Sequence, residues 1–415
     1  MASPVSHRRP PAWRILVAGA GIPSLAFALA VRQAAGDAVA VTVTDPGRGG
    51  ADPRAYALSR AASRMLDRLG LWPAVRRRAQ PIAEMRITDS RLDDPVRPDY
   101  LGFREDASGP LGYMVEAADL SAELATACRA SGIVFRTGAV TGFEAGPHGI
   151  EAACPETGPS VVTLLVAADG ARSRLREAAG IGWVGRRYPQ SGIVATVAHE
   201  RDHGGRAVQH FLPAGPFAIL PLAGPGRAFP HRSSIVWTED EALAPALLEQ
   251  PPEAALRSVE ARFGHELCHL ALETRLFAHP LAVGLARRFA AMRFALLGDA
   301  AHEIHPLAGQ GLNLGLADAA ALAEHVVDAV RLGLDPGSDE VLVRYERDRR
   351  FDAVAIAVVT DGLNRLFSND SLPVRSLRDF GLGLVDRAAG VKGFLAGEAS
   401  GLTGRAPRLM RGEAI

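Results

Sequence analysis

Cysteine is scarce in this 415-residue chain: Cys128, Cys154 and Cys268 are scattered, with no C-x-x-C pair. That argues against a disulfide framework or a cysteine-built zinc site, and fits a reducing compartment. Net charge is lacking too, since 46 basic residues balance 46 acidic ones. No global field therefore steers the chain toward nucleic acid or an anionic membrane. Long uncharged runs are rare as well. The one that invites attention is Ile15–Val31, which follows several arginines and superficially matches a signal peptide or marginal membrane span. Gly19 and Gly21 interrupt it, and Pro23 and Ser24 follow at once. A buried strand, a glycine turn and an Ala/Leu-rich helix account for the same composition. What the chain does have is apolar mass. With 48% hydrophobic residues and a mean hydropathy of +0.07, it can bury a large core in two or three layers or in two interleaved domains.

Patterning along the chain divides it. Residues 1–13 are rich in Pro and Arg and read as a flexible leader. Arg14–Ala18 reads as a strand buried on both faces, Ile22–Gln33 as a helix and Ala38–Thr44 as a second strand, forming a βαβ unit. A helix is expected over Ser59–Leu69, with Ser59 as N-cap and Gly70 just past its end. Glu84–Ser90 alternates like a strand of a different sheet. Asp119–Ala130 reads as a helix stopped by Gly132, Ile133–Thr137 as a strand, and Val161–Ala168 as one apolar strand ending at Asp169-Gly170. From Ile193 to Trp237 short apolar stretches broken by Gly and Pro indicate antiparallel sheet. Phe294–Leu297 is another short strand, followed by helices over Leu312–Val330 and Ser338–Leu366. The fold class expected is α/β. A Rossmann-like nucleotide-binding domain would be assembled from residues 14–80, 105–180 and 287–365. An inserted antiparallel unit would take 81–104 and 181–286, and a C-terminal helical region 366–415.

Three motifs carry the chemistry. The first, Gly19-Ala20-Gly21-Ile22-Pro23-Ser24, lies between a strand and a helix. Glycines there let the backbone turn sharply and approach a pyrophosphate seated on the helix N-terminus. An acidic residue is expected about 20 positions later to bind ribose hydroxyls, and Asp45 stands there. Ser24 replaces the third glycine. Alone, this motif also fits a glycine turn in an α/β layer that binds no nucleotide. The second motif is Asp169-Gly170-Ala171-Arg172-Ser173-Arg174-Leu175-Arg176. The third runs from Gly298-Asp299-Ala300-Ala301-His302 through Pro306 to Gly309-Gln310-Gly311-Leu312-Asn313.

Together these segments resemble the FAD-dependent aromatic hydroxylases, with their dinucleotide fingerprint, D-G-x-x-S-x-x-R and G-D-A-A-H-x-x-x-P-x-x-G-Q-G-x-N. The third matches at every fixed position. Asp52-Pro53-Arg54-Ala55-Tyr56-Ala57-Leu58-Ser59, Gly112-Tyr113-Met114-Val115-Glu116, Tyr345-Glu346-Arg347-Asp348-Arg349 and Pro407-Arg408-Leu409 further resemble the ubiquinone-biosynthesis branch. The resemblance implies FAD as cofactor. Gly19, Gly21, Ser24 and Asp45 would hold its dinucleotide portion, with Arg54 near the phosphates. Asp169 and Gly170 would also contact the cofactor, with Ser173 and Arg176 holding that loop in place. Gly298 and Asp299 would meet the ribityl chain, and Pro306 would lie near the reacting edge of the flavin. Gly309, Gln310, Gly311, Leu312 and Asn313 would open a helix beneath the ring, whose dipole favours negative charge on the reduced flavin. His302 and His305 share helical metal-ligand spacing, but Pro306 follows and no third ligand suggests itself, so no metal is expected.

The activity implied is monooxygenation of an aromatic ring through a flavin C4a-hydroperoxide, with O₂ as co-substrate. The reductant would be NAD(P)H or a separate electron donor. The flavin carries the chemistry and the protein supplies orientation and dryness, so no catalytic acid or base is named. The substrate implied is a lipophilic polyprenylated phenol of ubiquinone biosynthesis, bound in an apolar channel. Other quinone-biosynthesis proteins are conceivable partners. The expected location is cytoplasmic, with at most peripheral membrane contact. Alternatives on the same scaffold are a hydroxylase of small aromatic acids, another flavin-dependent oxidoreductase, or a non-catalytic FAD-binding scaffold. The halogenase W-x-W-x-I-P signature is absent, as Trp13, Trp72, Trp183 and Trp237 are isolated.

Overall fold

Ile15, Leu16 and Val17 are all buried because their strand, Trp13–Ala18 (β1), lies inside a six-stranded sheet. A computed structural model describes residues 12–47, 52–89, 99–107, 109–212, 214–305, 309–367 and 406–415. In this sheet β1 sits between Val39–Asp45 (β2) and Leu164–Ala167. Val134–Thr137 lies beyond β2, and Phe294–Leu296 and Ala290–Ala291 lie beyond Leu164–Ala167. Every pair is parallel except the last, an antiparallel edge hairpin. Strands from distant parts of the chain therefore build one Rossmann-like sheet, as the patterning predicts. The helix Ile22–Ala35 (α1) joins β1 to β2 and buries nine consecutive-turn residues from Ile22 to Val31, among them Ser24. The uncharged run at the N-terminus is thus a strand and a core helix. Among the described residues, no helix is long and apolar enough to cross a membrane.

The strand Ala55–Ser59 (β3) leads directly into the helix Arg60–Arg68 (α2). Ser59 caps that helix by accepting from the Ala62 N–H at 3.1 Å, and Gly70 follows its end at φ +75°. Both were expected from sequence. β3 pairs antiparallel with Gly112–Glu116, which also pairs with Gln80–Ile82.

Among the described residues the inserted sheet has nine strands. Its centre is the long strand Trp183–His199 (β4), followed in chain order by Arg206–Leu212 (β5), Gly215–Leu222 (β6) and His231–Asp240 (β7). β4 begins ten residues before Ile193, where apolar patterning first becomes visible. Val184 through Arg187 are exposed, so that end carries no burial signal. The sheet is also not purely antiparallel: β5 pairs in parallel with Glu84–Asp89. Its outer face packs Ile193, Phe217, Ile235 and Trp237 against Val259 and Phe263 of the helix Pro252–Phe263. Its inner face places Ala207, Leu220 and Leu222 against Ile82, Met114, Ala55 and Ala57.

One expectation needs correction. Val161–Ala168 is two strands, because Thr163 breaks it: Ser160–Val162 joins a separate three-stranded antiparallel sheet and Leu164–Ala167 enters the parallel one. Thr163 is held there by Arg14, whose N–H donates to its hydroxyl while its own N–H donates to the Arg14 carbonyl at 2.8 Å. His302–Glu303, in the nucleotide-binding segment, extends the inserted sheet by pairing with Phe277–Ala286. Of the C-terminal region, 368–405 lies outside the described residues, and 406–415 forms only a 3-10 turn at Arg408–Arg411. Arg408 docks that turn on the helix Gln310–Arg331 (α3) through Glu324 and Asp328. The helix Asp339–Phe367 (α4) completes the fold.

Candidate cofactor and substrate site

The fingerprint loop is shaped by one close approach. Gly19 has φ +115°, and a Cβ built there would lie 2.2 Å from the Ala168 carbonyl oxygen. Only glycine lets the ends of β1 and Leu164–Ala167 come this near. Gly21 caps α1 in an extended conformation and accepts from Leu25 N at 3.0 Å. Ser24, at the missing third glycine, is buried and donates its hydroxyl to the Gly21 carbonyl at 2.7 Å. Asp45 ends β2 and turns back: its carboxylate accepts from Ala20 N at 3.1 Å and from Gly47 N at 2.7 Å. It braces the loop that would receive the pyrophosphate.

Asp169 is exposed, accepts from Leu175 N at 3.3 Å, and is followed by Gly170 at φ +87° with open space where a Cβ would stand. Ser173 caps the next short helix by accepting from Arg176 N. The buried Arg176 donates to the Ala171 carbonyl at 3.0 Å and the Ala300 carbonyl at 2.9 Å, and lies 4.0 Å over the Trp183 ring. That guanidinium ties the D-G loop to the G-D loop. Gly298 takes φ +60°, and Asp299 next to it is exposed. Solvent reaches Asp299, yet burial pushes its carboxyl above the usual range, with His302 and Arg54 pulling the other way. Arg54 is bound to Asp52 at 2.7 Å and lies 5.3 Å from the Tyr56 ring centroid.

Gly309 is the left-handed N-cap of α3, at φ +62°. Gln310 begins the helix, and Gly311 faces open space, leaving room for a flat ring against the helix end. Leu312 is buried. Asn313 spends its amide inside the protein: Oδ1 accepts from Ser59 N at 2.9 Å, and Nδ2 donates to the Ala57 carbonyl at 2.8 Å and the Gly309 carbonyl at 3.3 Å. It pins the helix start to β3, which carries Arg54 at its approach. Pro306 lies outside the described residues.

These residues fit an FAD: a glycine loop on a helix N-terminus, an exposed carboxylate in the G-D loop, and a second glycine-opened helix. Comparison with known proteins agrees. The model of the FAD binding domain family matches residues 14–360. Ubiquinone hydroxylase UbiL of Rhodospirillum rubrum is 40% identical over 407 residues, covering 96% of this chain and 92% of its own. The chain belongs to the FAD-dependent ubiquinone-biosynthesis hydroxylase family. Its relative 3-demethoxyubiquinol 3-hydroxylase of Escherichia coli is 32% identical over 90% of this chain and 92% of that one. In fold, the crystal structure of p-nitrophenol 4-monooxygenase PnpA from Pseudomonas putida superposes with a TM-score of 0.73. It covers 94% of this chain and 98% of its own at 21% identity.

The hydroxylase's inserted sheet supplies a wall that sequence reasoning did not resolve. Strand alternation puts Ala207, Gln209 and Phe211 of β5 on the inner face, since Val208 and Leu212 belong to the outer core. Pairing then aligns Ala207 with Leu220, Ser234 and Thr196, and Gln209 with Ala218, Val236 and Val194. Phe211 aligns with Pro216, Thr238 and Gly192. On β4 to β7 these three rows carry no charged side chain. The next row of the same face holds Arg232, paired to Glu116 at 2.7 Å, and the parallel ladder continues the Phe211 row to Asp89. Leu220 and Ala57 both pack against the buried cluster of Ile82, Met114, Ala207 and Leu222, and a Cβ built on Gly309 would lie 3.5 Å from Ala57 Cβ. The wall therefore adjoins the opening of α3.

A buried cluster behind the cofactor loop was also missed. His302 Nε2 is 2.5 Å from Asp318 Oδ2, and Asp318 Oδ1 accepts from Arg349 Nε at 2.9 Å. All three are buried. Burial works against the Asp318 charge, but His302 and Arg349 more than offset it and hold the carboxyl below its ordinary range. The letters were present in the motifs at residues 298–318 and 345–349; their contact was not. His305 is buried beside Tyr188, and burial pushes its imidazole down to about 4. Among the described residues, no cluster could hold a metal.

Proposed function

We propose that this hydroxylase adds one oxygen atom to the ring of an uncharged, polyprenylated aromatic intermediate of ubiquinone biosynthesis. When bound, FAD supplies two-electron reduction and O₂ activation, with NAD(P)H or a separate donor as reductant. The chain's own groups would then bind, orient and shield. Gly19, Gly21 and α1 would seat the pyrophosphate, braced by Asp45, and Asp299 would accept from a ribityl hydroxyl. The N–H groups opening α3 at Gly309, Gln310 and Gly311 would stabilise negative charge on the ring. Residues 14–80, 105–180 and 287–365 would form this FAD unit, and 81–104 and 181–286 the substrate unit.

The observation that supports the substrate assignment is that these three rows offer no cation on β4 to β7, while Arg232 in the next row is committed to Glu116. A small aromatic acid bound there would bury a carboxylate with no cation in the three facing rows, which is strongly unfavourable. An apolar ring and prenyl tail would instead gain about 0.8 kcal/mol per buried CH₂. The test is to express the chain in a hydroxylase-deficient bacterium and identify accumulated quinone intermediates by mass. Restoration of a ring-hydroxylated prenylated product supports the assignment. Turnover of 4-hydroxybenzoate with no effect on prenylated intermediates refutes it.

A further inference from the structure

Within these three rows, one polar group stands apart. Ser234, Thr196 and Thr238 are buried in the sheet face, whereas Gln209, on the same face by strand alternation, is only half-buried. Its register neighbours are Ala218 and Ile87, with Val236 one strand further on. None of these offers a side-chain hydrogen bond. The Gln209 amide makes no hydrogen bond to any described residue, while Gln190 on the same sheet is tied to the Ala214 carbonyl and to Asn364. An amide left unpaired against apolar neighbours is unfavourable unless something else satisfies it.

We propose that Gln209 is the specificity-determining contact of the wall, reading an uncharged oxygen substituent on the substrate ring. This rests on the functional reading above. A carboxamide donates and accepts without charge, so it matches a ring hydroxyl in either role. A carboxylate gains far less from it than from an arginine, because no opposite charge is supplied. The amide also fixes ring rotation. With the prenyl tail held by apolar contacts and one ring oxygen held by Gln209, a single edge is presented to the cofactor. Oxygen transfer then follows position rather than intrinsic ring reactivity.

The test uses the FAD-loaded protein and two probes, a farnesylated phenol and the matching farnesylated benzene that lacks the ring oxygen. Each is titrated while the flavin absorbance is followed. One neutral hydrogen bond predicts that the wild type prefers the phenol roughly three- to tenfold. Gln209→Leu should abolish that preference, leave the benzene's affinity equal or tighter, and leave FAD content and Tm unchanged. Gln209→Met repeats the test should the leucine variant fold poorly. If both variants keep the phenol preference, the assignment of Gln209 is wrong while the prenylated-ring reading stands. If neither probe perturbs the wild-type flavin, that reading fails and the Gln209 assignment falls with it.

Discussion

Replacing Asn313 by Asp changes one atom and should uncouple the cofactor helix from β3. In the wild type Asn313 Oδ1 accepts from Ser59 N, and Nδ2 donates to the Ala57 carbonyl at 2.8 Å and the Gly309 carbonyl at 3.3 Å. Aspartate keeps the first contact. The other two turn into a carboxylate oxygen facing two carbonyl oxygens. Two neutral hydrogen bonds are worth about 1 kcal/mol each, and a buried, repelled charge adds to their loss. The expected destabilisation is about 3 kcal/mol at pH 8, with weaker FAD retention because Gly309 is the cap of α3. A proton on the outward oxygen restores one donor, to Ala57. The folded-state pKa of the new carboxyl should therefore rise above its unfolded value of about 3.9. The folded state then binds more protons between those two values, so the variant regains stability as pH falls. Urea unfolding of variant and wild type at pH 8 and pH 5 measures the difference. A variant as stable as wild type at pH 8, or a deficit independent of pH, would refute the reasoning.

Asp299→Ala should raise the Kd for FAD roughly 10- to 100-fold, the loss of one charged acceptor, measured by flavin fluorescence; unchanged retention after dialysis removes its ribityl role. Ser24→Gly should leave FAD affinity within about threefold, because the Ser24 hydroxyl is already committed to the Gly21 carbonyl; a large loss would make that hydroxyl a ligand. Asp318→Asn should cost about 3–5 kcal/mol in urea unfolding, since Arg349 and His302 lose their shared buried charge. Burial lowers the pKa of His199, His203 and His305, the last to about 4. Below the unfolded value of about 6.5 the unfolded chain takes up protons that these rings refuse. Tm should therefore fall from pH 7 to pH 5, and His305→Gln should flatten that slope.

The family and the cofactor of the hydroxylase were legible because their motifs lie in short contiguous runs. Gly19 sits in a recognisable fingerprint, although the carbonyl that excludes a Cβ there belongs to the distant Ala168. Ser59 and Gly70 mark a helix by a cap hydroxyl and a glycine at positive φ, both displayed in the sequence. Partnerships between distant residues were not legible. Asn313 reaches Ser59 across 254 positions, so its letter was read as a cofactor contact while its amide is spent joining two elements. Arg349 and Asp318 likewise sit in separate motifs, and only folding shows that one charge balances the other.

The inserted sheet was harder for a different physical reason. β5 reads Arg-Ala-Val-Gln-His-Phe-Leu, and burial on both faces erases the period-2 alternation that would tell inside from outside. His210 looks as polar as Gln209, yet it faces the other way and bonds Thr88 at 2.5 Å. A one-residue slip in register would exchange them and put an imidazole on the wall in place of an amide. That register is held from both sides, by the Arg206–Glu84 ion pair at one end of the parallel ladder and by Val208 and Leu212 in the outer core. The parallel pairing that patterning did not foresee thus helps to fix which polar side chain of β5 lies on the inner face.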